Sequence, residues 1–125
     1  MIGFVMIGTN DLNKAIKFYD ILLKTIDLKR VITNEKYIGY SSKKKSEEIE
    51  FYVTNPVDKN KATYGNGTQI SFIVKLKETV DNFYNLGIKL GGKDEGAPGI
   101  TSGDYYCYIR DLDENKICSF AKIDN

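Results

Sequence analysis

The chain carries one pattern twice. Residues 4–19 read Phe-Val-Met-Ile-Gly-Thr-Asn-Asp-Leu-Asn-Lys-Ala-Ile-Lys-Phe-Tyr, and residues 69–84 read Gln-Ile-Ser-Phe-Ile-Val-Lys-Leu-Lys-Glu-Thr-Val-Asp-Asn-Phe-Tyr. Aligned without a gap, Val5 falls on Ile70, Ile7 on Phe72, Ala15 on Val80, and Phe18-Tyr19 on Phe83-Tyr84. In each copy a β-rich run passes into apolar residues at helical spacing. The offset is about half of the 125 residues. Agreement of apolar spacing along the whole stretch favours duplication over two unrelated units that share a Phe-Tyr ending. The chain therefore reads as a single domain, 1–125, made of two modules at about 1–60 and 66–125.

Each module reads as strand, helix, then strands. Residues 2–8 are β-rich and predict a strand buried on both faces. Asn10 or Asp11 can cap the helix that follows, in which Leu12, Ala15, Ile16, Tyr19, Leu22 and Leu23 share one face. Strands are expected at 28–33, 36–42 and 48–54, with Lys43 to Ser46 as a hairpin tip and Pro56 ending the last. A polar connector, 55–68, precedes a strand at 69–75. A short helix at 77–86 is expected to stop at Gly87, with a short strand at 88–90. Gly91-Gly92 and Gly96-Ala97-Pro98-Gly99 read as a long turn-rich loop. A hairpin of 105–110 and 116–122 closes the chain.

Composition excludes several classes. Eighteen basic and seventeen acidic residues leave a net charge of +1, without the basic excess of a nucleic-acid surface. The Lys43-Lys44-Lys45 run is answered by Glu47 and Glu48 and reads as a solvated tip. No apolar run approaches a membrane span, and no basic region precedes an apolar stretch near Met1, so a cytoplasmic protein is expected. Histidine is absent, which removes Ser-His and Cys-His catalysis. A hairpin centred on Asp113 sets Cys118 opposite Tyr108 and Cys107 opposite Ser119. The two thiols then lie on opposite faces, unbridged. Gly87 to Lys93 fits a phosphate-loop spacing, but Asp94 replaces the Ser/Thr needed for magnesium and the segment follows a helix.

Three segments resemble the vicinal oxygen chelate superfamily, which includes glyoxalase I, bleomycin-resistance proteins and extradiol dioxygenases. They are Ile7-Gly8-Thr9-Asn10-Asp11-Leu12 with Ala15 and Phe18-Tyr19, the copy at 69–84, and Arg110-Asp111-Leu112-Asp113-Glu114-Asn115-Lys116. The resemblance implies an α+β fold of two tandem βαβββ modules forming a curled mixed sheet around a cavity, often in a homodimer. It also implies four metal-ligand positions, usually histidine or glutamine and glutamate. Carried onto this chain they fall on Phe4, Glu50, Gln69 and Cys118. Phenylalanine cannot ligate, an amide is weak, and a thiolate beside hard oxygens matches no common metal preference. Neither a metal site nor another cofactor is expected.

Alternation places Phe4 with Met6, Glu50 with Tyr52, Gln69 with Ser71, and Cys118 with Phe120 on shared strand faces. Under the resemblance these faces line the cavity. Phe4, Tyr52, Gln69, Ser71, Cys118 and Phe120 are then the ligand-binding residues, and Glu50 is the catalytic candidate. If buried among Phe4 and Phe120, Glu50 would hold a raised pKa suited to proton transfer. A solvent-facing strand-end glutamate is the alternative. Cys118 reads as a packed thiol, because no base is near it. The tyrosines Tyr105, Tyr106 and Tyr108 read mainly as sheet packing, and Arg110 as ordering the hairpin through Asp111 or Asp113. The leading function is a small-molecule binder without the usual metal. The alternatives are a lyase or isomerase of the lactoylglutathione lyase type using Glu50, and a dimeric interaction module. No nucleic-acid or membrane partner is expected.

Overall fold

The computed structural model describes residues 1–42 and 47–123, so the expected hairpin tip at 43–46 lies outside the described residues. The chain divides into two compact units, Met1–Thr63 and Tyr64–Asn125. Unit 1 comprises β1 (Val5–Gly8), α1 (Leu12–Lys24), β2 (Leu28–Thr33), β3 (Tyr37–Ser42) and β4 (Phe51–Thr54). Unit 2 comprises β5 (Ile70–Val74), α2 (Lys77–Lys89), β6 (Lys93–Thr101), β7 (Asp104–Arg110) and β8 (Lys116–Ala121). The two sheets are permuted alike, β1-β4-β3-β2 and β5-β8-β7-β6. In each, the first and last strands of the unit pair in parallel and the other pairs are antiparallel. This is the α+β architecture of two tandem βαβββ modules that the family resemblance implies. No helix among the described residues is long and apolar enough to cross a membrane.

In unit 1, Asp11 is the helix cap. Its backbone is extended and its carboxylate accepts from the Lys14 N–H at 3.0 Å, satisfying one orphan donor of the first turn. Ala15, Phe18, Tyr19, Leu22 and Leu23 then recur on one face and are all buried. They form the core with Ile7, Ile38, Tyr40, Phe51 and Val53 of the sheet. Each fully buried Leu or Phe contributes about 1.5–3 kcal/mol relative to exposure. Tyr40 brings a hydroxyl into this core, and it donates to Asp20 on α1 at 2.8 Å. Unit 2 uses the same device, with Tyr105 donating to Asp81 on α2 at 2.7 Å. In both units a sheet tyrosine is thus fastened to a helix aspartate, so the polar tip of a large aromatic is satisfied.

Four sequence expectations are corrected. The first strand is not buried on both faces: Ile7 is buried, but Phe4 and Met6 are exposed, because β1 ends its sheet and α1 covers one side only. Helix α2 does not stop at Gly87, and no strand follows at 88–90. Gly87 is a buried helical residue whose carbonyl accepts from the Gly92 N–H, and the helix ends instead before Gly91 at φ 105. Residues 93–101 are a strand, not a loop. Their glycines mark register shifts against β7, and Pro98 falls inside one of them, where no ladder donor is required. Gly96 is small because Tyr108 covers it; an added Cβ would sit 2.7 Å from the Tyr108 ring. Arg110 pairs with Glu95 at 3.2 Å and donates to the Glu114 carbonyl, partners that the sequence reading did not name.

The closing hairpin keeps the expected register, Tyr108 opposite Cys118 and Cys107 opposite Ser119. Cys107 faces α2, where its Sγ lies 3.7 Å from the Val80 carbonyl, and Cys118 faces the other way. Both thiols are buried and free.

Candidate functional site

Each sheet has one face under its helix and one face without it. The residues named from sequence all lie on the second kind. In unit 1, Met6 is level with Tyr52, and Tyr52 is level with Gly39. The Tyr52 ring lies edge-on between Phe4, at 5.0 Å, and Tyr37, at 5.6 Å. It passes over Gly39, where a Cβ would meet Tyr52, Ile32 and Ile49 within 3.2 Å. Glu50 sits just before β4. Its N–H donates to Tyr40 and its carbonyl accepts from Val5, so its backbone is held in the ladder. The side chain, however, is exposed. Its open-face neighbour Phe4 is itself 55% exposed and does not cover it.

In unit 2, Ser71 is level with Cys118, which is level with Tyr108. The Gln69 amide donates to the Ser71 hydroxyl at 2.9 Å, and Ser71 lies level with Cys118 on the neighbouring strand. Three residues named separately from sequence therefore lie side by side in one row. Beside it, Phe120 and Tyr106 stack at 4.7 Å and 11°, and Tyr106 and Tyr108 at 5.8 Å and 3°. The Lys116 ammonium lies 5.1 Å from the Tyr108 ring centre. Sequence reasoning took Tyr106 and Tyr108 mainly as sheet packing and passed over Lys116 as a site residue. The alternation that put Cys118 and Phe120 on this face, with Tyr108 opposite Cys118, carried the signal for all three.

Burial pushes the Cys118 thiol up, against smaller opposing effects from Ser71 and Lys116. It is a protonated thiol at neutral pH and a poor nucleophile. Burial also pushes Cys107 up, from 9.0 to about 12. Between those values the unfolded chain has lost a proton that the folded chain keeps. Stability is therefore expected to fall as pH rises from about 9 toward 12. Urea titrations across that range should show the slope, and it should be shallower in Cys107→Ala; an identical slope in that variant would remove the thiol as its source.

A second concavity, about 420 Å³, opens in unit 1 and is lined by Thr9, Asn10, Asn55, Pro56, Lys59, Asn60 and Lys61. It contains none of the residues named from sequence. Asn10 closes its floor by exchanging two hydrogen bonds with the Ala62 backbone.

No family model and no curated protein sequence matches the chain. Solved structures do. A glyoxalase/bleomycin resistance protein from Albidiferax ferrireducens T118 is 36% identical, with 98% of this chain and 99% of that one covered, at a TM-score of 0.89. The chain belongs to the glyoxalase/bleomycin resistance protein family. That places it in the vicinal oxygen chelate superfamily. At lower identity the same fold recurs in two other solved structures. One is a glyoxalase/bleomycin resistance protein/dioxygenase family enzyme from Burkholderia phytofirmans PsJN, 18% identical over 97% of this chain and 98% of that one, TM-score 0.74. The other is lactoylglutathione lyase from Agrobacterium tumefaciens, 18% identical over 97% and 92%, TM-score 0.67.

The metal positions of this family do not suit a metal here. In unit 1 the first position is Phe4, whose ring packs on Tyr52. Its row-mate Glu50 supplies a carboxylate without a neighbouring donor of the usual kind. In unit 2 the amide of Gln69 is engaged with Ser71, and Cys118 is a buried, protonated thiol. Among the described residues no group of three or more His, Cys, Asp or Glu could hold a metal ion. The donors of this glyoxalase/bleomycin resistance protein are thus a hydrocarbon, a lone carboxylate, an amide and a thiol, and they fit no catalytic metal.

Proposed function

We propose that this glyoxalase/bleomycin resistance protein binds a small organic molecule on the helix-free faces of its sheets, without a metal. The observation that carries this reading is the row of Gln69, Ser71 and Cys118 beside stacked Phe120 and Tyr106. A few fixed polar groups beside half-buried flat apolar surface are what a small-molecule site requires. Phe4 and Tyr52 offer comparable aromatic surface in unit 1. Metal analysis and thermal-shift titration of untagged protein test the reading. No saturable shift with zinc, nickel, cobalt or manganese is expected, while a panel of small aromatic compounds should give one that Phe120→Ala removes. A stoichiometric divalent metal, or a large saturable rise in Tm with one, would overturn it.

A second reading has Glu50 moving a proton in a lyase or isomerase reaction. It is favoured by one observation: the Ser41 hydroxyl is fully buried and has no hydrogen-bond partner among the described residues. Ser41 lies one step beyond the Tyr40–Phe51 pair, level with Glu50. Such a hydroxyl is held at a cost that a ligand's polar group would relieve. Turnover that survives Glu50→Gln would sink this reading. Assembly as a homodimer is part of the same proposal; sedimentation at the mass of one 14.2 kDa chain would count against it.

A further inference from the structure

The open face of unit 2 distinguishes among small organic ligands by charge and shape. It has three levels. The top level holds Ile73 beside Phe120 and Tyr106. The middle holds Ser71, Cys118 and Tyr108. The bottom holds Gln69, one step before the Ile70–Ile117 pair, and Lys116, one step before Ile117 on the neighbouring strand. Along the edge strand β5, Gln69, Ser71 and Ile73 are all exposed. An elongated ligand lying on β5 would thus touch an apolar residue at one end and two hydrogen-bonding side chains at the other.

Shape is set at the top. Phe120, Tyr106 and Tyr108 are near-parallel, within 11° for each adjacent pair. A flat ring above Ile73 would continue that stack on Phe120. Charge is set at the bottom. Three cations share the bottom level of this face. Lys93 is paired with Glu114 and Arg110 with Glu95. Lys116 has no carboxylate partner among the described residues and rests over Tyr108. Its ammonium therefore reaches up to the Tyr108 level, one level below Phe120 and Tyr106, and levels are about 7 Å apart. That is the reach from an aromatic ring to the carboxylate of a short conjugated side chain.

We infer that this face takes a planar organic anion, an aromatic or conjugated carboxylate. Its ring stacks on Phe120 over Ile73, and its carboxylate meets Lys116 with Ser71 and Gln69 as hydrogen-bonding neighbours. The inference rests on the small-molecule reading above and narrows it. A neutral amide of the same shape forfeits the charge-assisted contact, and a saturated ring forfeits the stack.

Calorimetric titration of the full chain with trans-cinnamate, cinnamamide and cyclohexanecarboxylate tests it. Cinnamate is expected to bind about tenfold more tightly than cinnamamide. Lys116→Met should erase that difference by weakening cinnamate alone, Lys116→Arg should restore it, and Phe120→Leu should weaken both planar ligands. Amide shifts on cinnamate binding should fall at 69–73 and 116–120. Equal affinity for cinnamate and cinnamamide, or a Lys116→Met variant that binds cinnamate normally, would overturn the anion while leaving a planar-ligand site. Tighter binding of cyclohexanecarboxylate would overturn the stack. No binding of any of the three would overturn this inference, and no response to any panel compound as well would take the broader reading with it.

Discussion

Asp111→Ala is expected to lower stability by about 3 kcal/mol, the loss of several charge-assisted hydrogen bonds at once. Asp111 is 3% exposed. One carboxylate oxygen accepts from the backbone N–H groups of Asp113 and Asn115, at 2.8 and 2.9 Å, and the other from the Asn115 side chain at 3.0 Å. The Asp111 N–H in turn donates to the Asn115 carbonyl. Those bonds hold Glu114 at φ 71, a left-handed conformation that a non-glycine residue adopts only when its surroundings impose it. Alanine leaves three donors without an acceptor in a turn with little water access. The Tm should fall by roughly 10–15 °C. Asp111→Asn keeps an acceptor oxygen for the backbone and should lose about half as much. Urea unfolding with an unchanged m-value checks the figure, and a loss below about 1 kcal/mol would mean the turn holds itself. The consequence reaches the site, because this turn delivers Lys116, Cys118 and Phe120 to their face in register.

The same turn shows what a sequence reader can and cannot obtain. Arg110 to Lys116 was legible because its polar residues at fixed spacing have local reasons to be there. The Cys118–Tyr108 register followed from it. The repeat was legible because helix and strand periods are local too, so both helices and most strands were expected near their observed places. The glycine-rich stretch was misread for a physical reason. Glycine marks a turn when its conformation is needed, but Gly96 is small because Tyr108 covers it. That depends on chain distant in sequence. The site divides in the same way. Alternation assigned Phe4, Glu50, Tyr52, Gln69, Ser71, Cys118 and Phe120 to helix-free faces. Exposure depends on what covers a face, so alternation alone left Glu50 open between a buried and a solvent-facing place, and the structure has it exposed. Lys116 was passed over because a lone lysine reads as solvated surface. Its importance comes from the pairing of Lys93 and Arg110 elsewhere.

Restoring the family's carboxylate at the last metal position should damage this protein rather than repair it. Cys118→Glu is expected to cost about 3–5 kcal/mol, the usual penalty for an uncompensated charge in a packed interior. The Cys118 side chain is fully buried between Ser71 and Tyr108 on neighbouring strands. Glutamate is longer, so it must also displace one of them. Ser71 can donate one hydrogen bond, and Lys116 bears on the same position, yet neither provides the several donors that an ionised carboxylate needs. Nor would the added oxygen find a free ligand beside it in unit 2, because the Gln69 amide is already used by Ser71. Cys118→Ala is the control: it removes a small sulfur without introducing charge and should cost no more than about 1–2 kcal/mol. Denaturant unfolding of both variants, with and without zinc, separates the contributions. A Cys118→Glu protein as stable as its parent, or stabilised saturably by zinc, would show that this face keeps a latent metal site. A large loss that zinc does not reverse would place the divergence from the metal-dependent members in the packing around Cys118 as well as in its ligand atoms.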